Sequence, residues 1–283
     1  MDRVYKKFDL SPYGPNLTDD FFPYFQPIFS FEQRRVIGYE VLARAKDRDG
    51  NIVSIGSLFD DPSIPEQVRQ NIDYCIREDA VIRFKSKNLE GRSRLFINIY
   101  PHRMSLSEIG NGDPCAIIKL SATMTLIKHY GVQASAFILE LSGFELEMNR
   151  ETITDIIRCY RNEGFQISLD DYPVTERSIS ELPLLKPDYI KIDSTIFRKA
   201  AAHPDLRDLA ARLKEAAHET NAMLLLKRVE KEGELYSILD GGTTNLQGNY
   251  LSDAVESFLE EEFMHDLIEK YDRHVDEKGA KSG

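Results

Sequence analysis

Short, almost continuously apolar runs recur along the chain at Tyr24–Phe29, Val36–Leu42, Leu95–Ile99, Phe137–Leu141, Gln166–Asp170, Tyr189–Ile192, Met223–Leu226 and Leu246–Leu251. Runs of this kind fit strands covered on both faces, as in a parallel sheet. Between them lie segments of helical period. Val68, Ile72, Cys75, Ile76 and Ala80 form one apolar stripe, and Ile153, Ile156, Ile157 and Tyr160 a second. Leu206, Leu209, Leu213 and Ala217 form a third, and Val255, Leu259, Phe263 and Leu267 a C-terminal fourth. Strands alternating with helices over this length predict an α/β fold, a (β/α)8 TIM-like barrel. The first two runs depart from the pattern. Only Ser30 to Arg35 separates them, too short for a helical crossover, so they are expected to form an antiparallel hairpin. A doubly wound open sheet is the alternative, but no G-x-G-x-x-G opens a helix after the first run.

The pattern also sets expected boundaries. Residues 1–20, with Pro12, Gly14, Pro15 and Asn16, read as an irregular lead-in, 21–271 as the barrel, and 272–283 as a flexible polar tail. Composition narrows the picture further. Among 283 residues, 47 Asp+Glu against 36 Lys+Arg give a formal net charge of −11, and no basic stripe is visible, which argues against a nucleic-acid duplex as partner. No apolar run approaches the ~18 residues of a membrane span, and the N-terminus lacks a signal-peptide core. Cys75, Cys115 and Cys159 form no CxxC and no even framework, so a reducing cytoplasm is the expected compartment.

What ends each run carries the chemistry. Glu40, Asn98, Glu140 and the pair Asp170–Asp171 stand at or near the ends of successive strands, Lys191 interrupts another, and Gln247 enters the last. Barrel enzymes build their sites at the C-terminal ends of strands, so these residues should converge. Carboxylates inside apolar strands are costly to desolvate unless paired or bound to a cation. Hard oxygen donors favour Mg2+, Mn2+ or Ca2+ over zinc. Each residue also has a plainer role open to it: helix cap, surface ion pair, or, for Lys191, a snorkelling edge position. Their recurrence at successive strand ends favours a shared site.

The motifs resemble the EAL domain of cyclic-di-GMP phosphodiesterases, from about Phe25 to Gly248 and more weakly beyond. "YFQPIFS" (Tyr24–Ser30) is similar to the opening strand of that family. "GYEVLAR" (Gly38–Arg44) resembles its signature, with Glu-Val-Leu for Glu-Ala-Leu. "FINIYP", "ILELS", "ISLDDY", "PDYIKID" and "LQGNYLS" follow in the family's order. The resemblance implies that Glu40, Asn98, Glu140 and Asp170 hold one Mg2+ or Mn2+ and that Asp171 helps to hold a second. It implies catalytic roles for Glu40, Asp171 and Lys191, with Lys191 near the attacking water. Arg44 would grip a ligand phosphate, Gln26 would touch the nucleotide, and Gln247 would add a supporting hydrogen bond. The implied reaction opens one phosphodiester of cyclic di-GMP to the linear dinucleotide by two-metal chemistry.

Two departures bear on that reaction. Where the family has E-G-V-E at the seventh strand end, this chain has Lys227, Arg228, Val229 and Glu230. The glutamate expected at the second metal is therefore Lys227, and an ammonium facing a dication costs on the order of several kcal/mol. The second ion is expected to be excluded or weakened; alternatively, the ammonium itself occupies the cation position and neutralises Asp171. The glycine-rich loop after the double aspartate is replaced by Tyr172, Pro173, Val174 and Thr175, removing backbone freedom. A lesser departure is Gly143, where the family usually has another glutamate. A cyclic-di-GMP receptor with impaired or absent turnover is the leading expectation. An active phosphodiesterase and a ligand-free interaction module are the alternatives. A homodimer and an unidentified protein partner are also expected.

Overall fold

The structure, a computed structural model, describes residues 17–99, 115, 121–142, 150–200, 203–259 and 262–282. Among these, the strands are β1 (Leu17–Ser30), β2 (Arg35–Asp47), β3 (Ile52–Ser54), β4 (Arg94–Ile99), β5 (Phe137–Leu141), β6 (Gln166–Leu169), β7 (Tyr189–Asp193), β8 (Met223–Lys227) and β9 (Asn245–Leu246). The hydrogen-bonded order β1-β9-β8-β7-β6-β5-β4-β2 is closed by pairing of β1 with β2, so eight strands make a barrel. β4 to β9 run parallel to β2, while β1 is antiparallel to both of its neighbours. β3 lies outside the ring, antiparallel on the far end of β2.

The helices are α1 (Glu66–Ser86), α2 (Ala122–Tyr130), α3 (Arg150–Asn162), α4 (Glu176–Leu185), α5 (Ser194–Ala200), α6 (Pro204–Glu219), α7 (Glu232–Asp240) and α8 (Glu262–Ser282). The first three predicted stripes face the barrel, whereas of the fourth only Leu267 is buried, Phe263 being exposed and Val255 and Leu259 preceding the helix. Ile153, Ile156, Ile157 and Tyr160 of α3 are all buried, as are Ile72, Ile76 and Ala80 of α1 and Leu213 and Ala217 of α6. Gly164 takes a left-handed φ of 93° and turns the chain from α3 into β6, a conformation glycine adopts without steric cost.

Side chains at alternate strand positions fill the barrel in two levels. The lower level is an apolar plug of Ile28, Ile37, Phe96, Ile138, Tyr189 and Leu225. Two residues further along the strands, Asn98, Glu140, Lys191 and Lys227 follow Phe96, Ile138, Tyr189 and Leu225. The period of two that keeps the plug inside therefore turns the polar residues inward as well. Gly38 makes room for the plug, since a Cβ there would lie 2.8 Å from the Arg94 carbonyl oxygen and against the Phe96 ring.

The structure corrects several expectations. The hairpin is present but longer than its apolar runs, with the half-exposed Lys46 and Asp20 paired at 3.3 Å near its open end, away from the turn. Pairing reaches back to Leu17, inside the expected lead-in, while residues 1–16 lie outside the described residues. β9 is two residues long, because from Gln247 onward the chain wraps around Val229 instead of continuing the sheet. Val255 is not helical: it bridges Phe25, and Phe258 stacks its ring 4.2 Å from that of Phe25. The C-terminal helix starts at Glu262 and runs through the stretch expected as a flexible tail. Arg34 ties it down by pairing with Asp272 at 2.6 Å, and the Phe31 and Tyr271 rings meet edge-on at 5.6 Å. The cysteines do pair, as a disulfide joins Cys115 to Cys159 on α3 and leaves Cys75 free. Their separation of 44 residues is bridged only by tertiary packing, which no local spacing motif announces.

Candidate functional site

The polar level is organised around Lys191, whose side chain is wholly buried. Its ammonium donates to Glu40 Oε2 at 2.7 Å and to Glu140 Oε1 at 2.6 Å, and lies 3.8 Å from Asp170 Oδ1. A snorkelling edge position is thereby excluded. Burial pulls the Lys191 amine down, but Glu140, Glu40 and Asp170 outweigh it and hold the group protonated, well above its ordinary range. Three carboxylates exceed one ammonium, and the most buried of them bears the excess. Desolvation pushes Glu140 up to about 8, opposed by Lys191 and reinforced by Glu40 and Asp170.

The second ammonium is that of Lys227. It sits 2.8 Å from Asp170 Oδ1 and 2.8 Å from Asp171 Oδ1, with only 14% of its side chain exposed. Burial works against its charge, yet Asp170 and Asp171 hold its pKa above the usual lysine value; Lys191 opposes them. Asp170, despite burial, is held below the ordinary carboxylate range by Lys191 and Lys227. The backbone on both sides is special. Asp171 has φ 48° and Arg228 has φ 62°, left-handed values that a non-glycine residue adopts at a cost of about 1–2 kcal/mol. The position of Arg228 is the one where the motif quoted above has glycine.

The loop after Asp171 is fixed by its own hydrogen bonds. The Tyr172 hydroxyl donates to the Ser178 carbonyl at 2.7 Å, and the Ser178 hydroxyl to the Pro173 carbonyl at 2.6 Å. Thr175 and Ser178 form a reciprocal capping box that starts α4. The lost glycines are thus replaced by a rigid, capped turn.

Gln247, Gln26 and Asn249 make a third group. The Gln247 amide donates to Glu40 Oε2 at 2.8 Å and to Gln26 Oε1 at 3.2 Å, and the Gln26 amide donates to Asn249 Oδ1 at 3.1 Å. Gln26 faces Glu40 across the hairpin register. Gly248 lets this segment cross the Val229 backbone, against which any Cβ would collide. A cavity of about 350 Å3 opens here, lined by Gln26, Glu40, Lys227, Arg228, Glu230, Gln247, Gly248 and Asn249. It adjoins a second cavity of about 380 Å3, which shares Gln26 and Asn249 and reaches Tyr24, Arg44 and Asp253.

Of the expected site residues, Gln26, Glu40, Glu140, Asp170, Asp171, Lys191, Lys227 and Gln247 form one connected network. Asn98 stands beside Glu140 in the β4–β5 register. Arg44 stands apart, in the neighbouring cavity, with its guanidinium carbon 5.8 Å from the centroid of the Tyr24 ring. Sequence reasoning did not single out Asn249 or Tyr24. Both sit inside the quoted motifs LQGNYLS and YFQPIFS, but nothing local marked their side chains as site-facing.

Glu140 Oε2 is a buried carboxylate oxygen with no hydrogen-bond partner. A lone pair stranded in a ring of hard oxygen donors fits a divalent cation of the Mg2+, Mn2+ or Ca2+ type. The ground between Asp170 and Asp171 does not fit one, because Lys227 already fills it.

A closed mixed barrel with a hairpin start and carboxylates ringing one mouth defines the class, and the chain belongs to the EAL domain family, whose model matches residues 16–254. It is 30% identical over 249 residues to the EAL-domain containing protein YkuI of Bacillus subtilis, covering 87% of this chain and 58% of that protein. The chain therefore spans less than two thirds of that relative's length. The crystal structure of Bacillus subtilis YkuI, in complex with c-di-GMP and calcium, superposes with a TM-score of 0.73 at 27% identity, over 92% of this chain and 62% of the other. A standalone EAL protein from Vibrio cholerae O395, solved with c-di-GMP bound, shares the fold with a TM-score of 0.65 at 23% identity, over 86% of this chain and 97% of the other.

Proposed function

We propose that this chain binds cyclic di-GMP in the paired cavities beside Glu40 and Arg44, hydrolyses it slowly or not at all, and acts as a signalling receptor. The observation that carries the reading is the Lys227 ammonium, held 2.8 Å from both Asp170 and Asp171 inside an otherwise retained ring of oxygen donors. In this reading Glu40, Asn98, Glu140 and Asp170 hold one Mg2+ or Mn2+, which when bound polarises phosphoryl oxygens and acidifies water. Lys191 positions Glu40 and Glu140, and Gln247 fixes Glu40 from the other side. Gln26 and Asn249 orient the nucleotide, and Arg44 grips one phosphate. Asp171 is withdrawn from catalysis by its pairing with Lys227. The YkuI structure, solved with c-di-GMP and calcium, supports a site that holds this nucleotide and a hard cation.

The reading extends to a protein partner or second copy that receives the signal and, on the family resemblance alone, to a cytoplasmic setting, because the Cys115–Cys159 disulfide removes the cysteine argument for a reducing compartment. Among the described residues no helix is long and apolar enough to cross a membrane. The retained Glu40, Glu140 and Lys191 cluster favours residual hydrolysis as the second reading. Calorimetry with cyclic di-GMP, paired with chromatography for the linear product in Mg2+ or Mn2+, tests both. Binding without product is expected, and steady formation of the linear dinucleotide overturns the receptor reading.

A further inference from the structure

An ammonium carries three N–H donors, and the carboxylates of Asp170 and Asp171 take two of those on Lys227. The same side chain lines the cavity of about 350 Å3 that opens beside Gln247. Arg44 lines the neighbouring cavity, and the two share Gln26 and Asn249, so a cation lines each of two cavities that meet at those side chains. A cyclic dinucleotide has two phosphodiesters on opposite sides of its ring. We propose that Lys227 is a phosphate anchor: a tethered cation that occupies the place between Asp170 and Asp171 and offers its third N–H to one ligand phosphodiester, while Arg44 takes the other. Recognition of the cyclic dinucleotide thereby needs no divalent ion, and the ion held by Glu40, Asn98, Glu140 and Asp170 serves residual hydrolysis alone. The proposal rests on the receptor reading and adds to it the group that replaces an ion in holding the ligand.

The surrounding charge makes such an anchor necessary. Glu40, Glu230 and Asp253 also line the two cavities, and the whole chain carries −11, so a dianion is repelled unless a cation meets it at close range. Glu40 is engaged by Lys191 and Gln247. Arg228 is paired with Asp193 at 3.0 Å and is 62% exposed, which leaves Lys227 as the more rigidly held cation in the cavity they share. An ammonium clamped by two carboxylates loses little rotamer freedom when a ligand arrives, which favours affinity.

The test uses unlabelled cyclic di-GMP and calorimetry on the full chain, in EDTA and in Mg2+. Wild type is expected to bind with a Kd that changes less than threefold between the two. Lys227→Met is expected to lose at least tenfold in EDTA, and Lys227→Arg to retain most of the binding. Lys227→Glu is expected to bind the nucleotide only when Mn2+ is supplied and, by manganese paramagnetic resonance, to hold more ions than wild type. Wild-type binding that vanishes in EDTA but returns in Mg2+ overturns the anchor and leaves the receptor reading standing. No wild-type binding under either condition overturns both. Lys227→Met that binds like wild type in EDTA, with an unchanged melting curve, also overturns the anchor.

Discussion

At the scale of single residues, the site is a problem of buried charge. Lys191 has no exposed side-chain surface and is held by carboxylates, so removing its charge while keeping its length leaves Glu140 and Glu40 uncompensated. Breaking one partner of such a buried set costs roughly 3–5 kcal/mol. Lys191→Met is therefore expected to lower unfolding free energy in urea by about that much. A loss under 1 kcal/mol would show that the cluster relaxes by proton uptake at Glu140. These charged residues were legible in the sequence because their types and strand-end positions are unusual. Apart from the pairing of Lys227 with Asp171, which stood as one of two alternatives, their partners were not. Lys191 and Glu140 are 51 residues apart, and Lys227 and Asp170 are 57 apart; only closure of the barrel joins them.

At the scale of elements, two predictions concern close approach and docking. Gly248 crosses the Val229 backbone, where a methyl group has no room, so Gly248→Ala is expected to destabilise the fold by about 1–3 kcal/mol in thermal or urea unfolding. An unchanged midpoint would place the two segments further apart. α8 packs through the buried Met264, Leu267 and Ile268, and beside that face the Arg34 hydrogen bond holds the Asp272 carboxyl below its ordinary 3.8. A folded-state value below the unfolded one means the contact contributes above the unfolded pKa and fades as pH falls through the folded one. NMR titration should find Asp272 depressed in the wild type and restored in Arg34→Ala. Equal values in the two would return residues 272 onward to the status of a loose tail. The tail was misread because its polar composition conceals Asp272, which the helix brings to Arg34 on the barrel. The strand ends between Phe137 and Leu141 were read correctly because a covered parallel strand is apolar along its whole length. The longer hairpin escaped because Thr18, Asp19, Asp20, Arg44, Lys46 and Asp47 interrupt the apolar positions of its outer half, although Phe21, Phe22 and Ala45 there are buried.

At the scale of the whole molecule, the Cys115–Cys159 bond ties the segment beyond β4 to α3 and encloses β5. Closing a loop of this length stabilises the native state by about 4 kcal/mol in the chain-entropy description. Thiol titration of the unfolded, unreduced chain should count one reactive group, Cys75, and three after reduction. Three before reduction would show that the pair is open in the purified protein. The barrel itself is held together by the two-level interior. The apolar plug below sets the dielectric in which the ions above interact, and helices on the outside keep water from the plug.

The sequence by itself determined the alternation of elements, the antiparallel start, and which carboxylates and lysines stand at the strand ends. Those features depend on local period and residue type, which a linear chain displays directly. The tertiary structure alone decided that Lys227 clamps Asp170 and Asp171, that Glu140 keeps one oxygen without a partner, and that two cavities share Gln26 and Asn249. Those depend on distances of a few ångströms between residues distant in sequence, and charge interactions at that range are set by packing and desolvation.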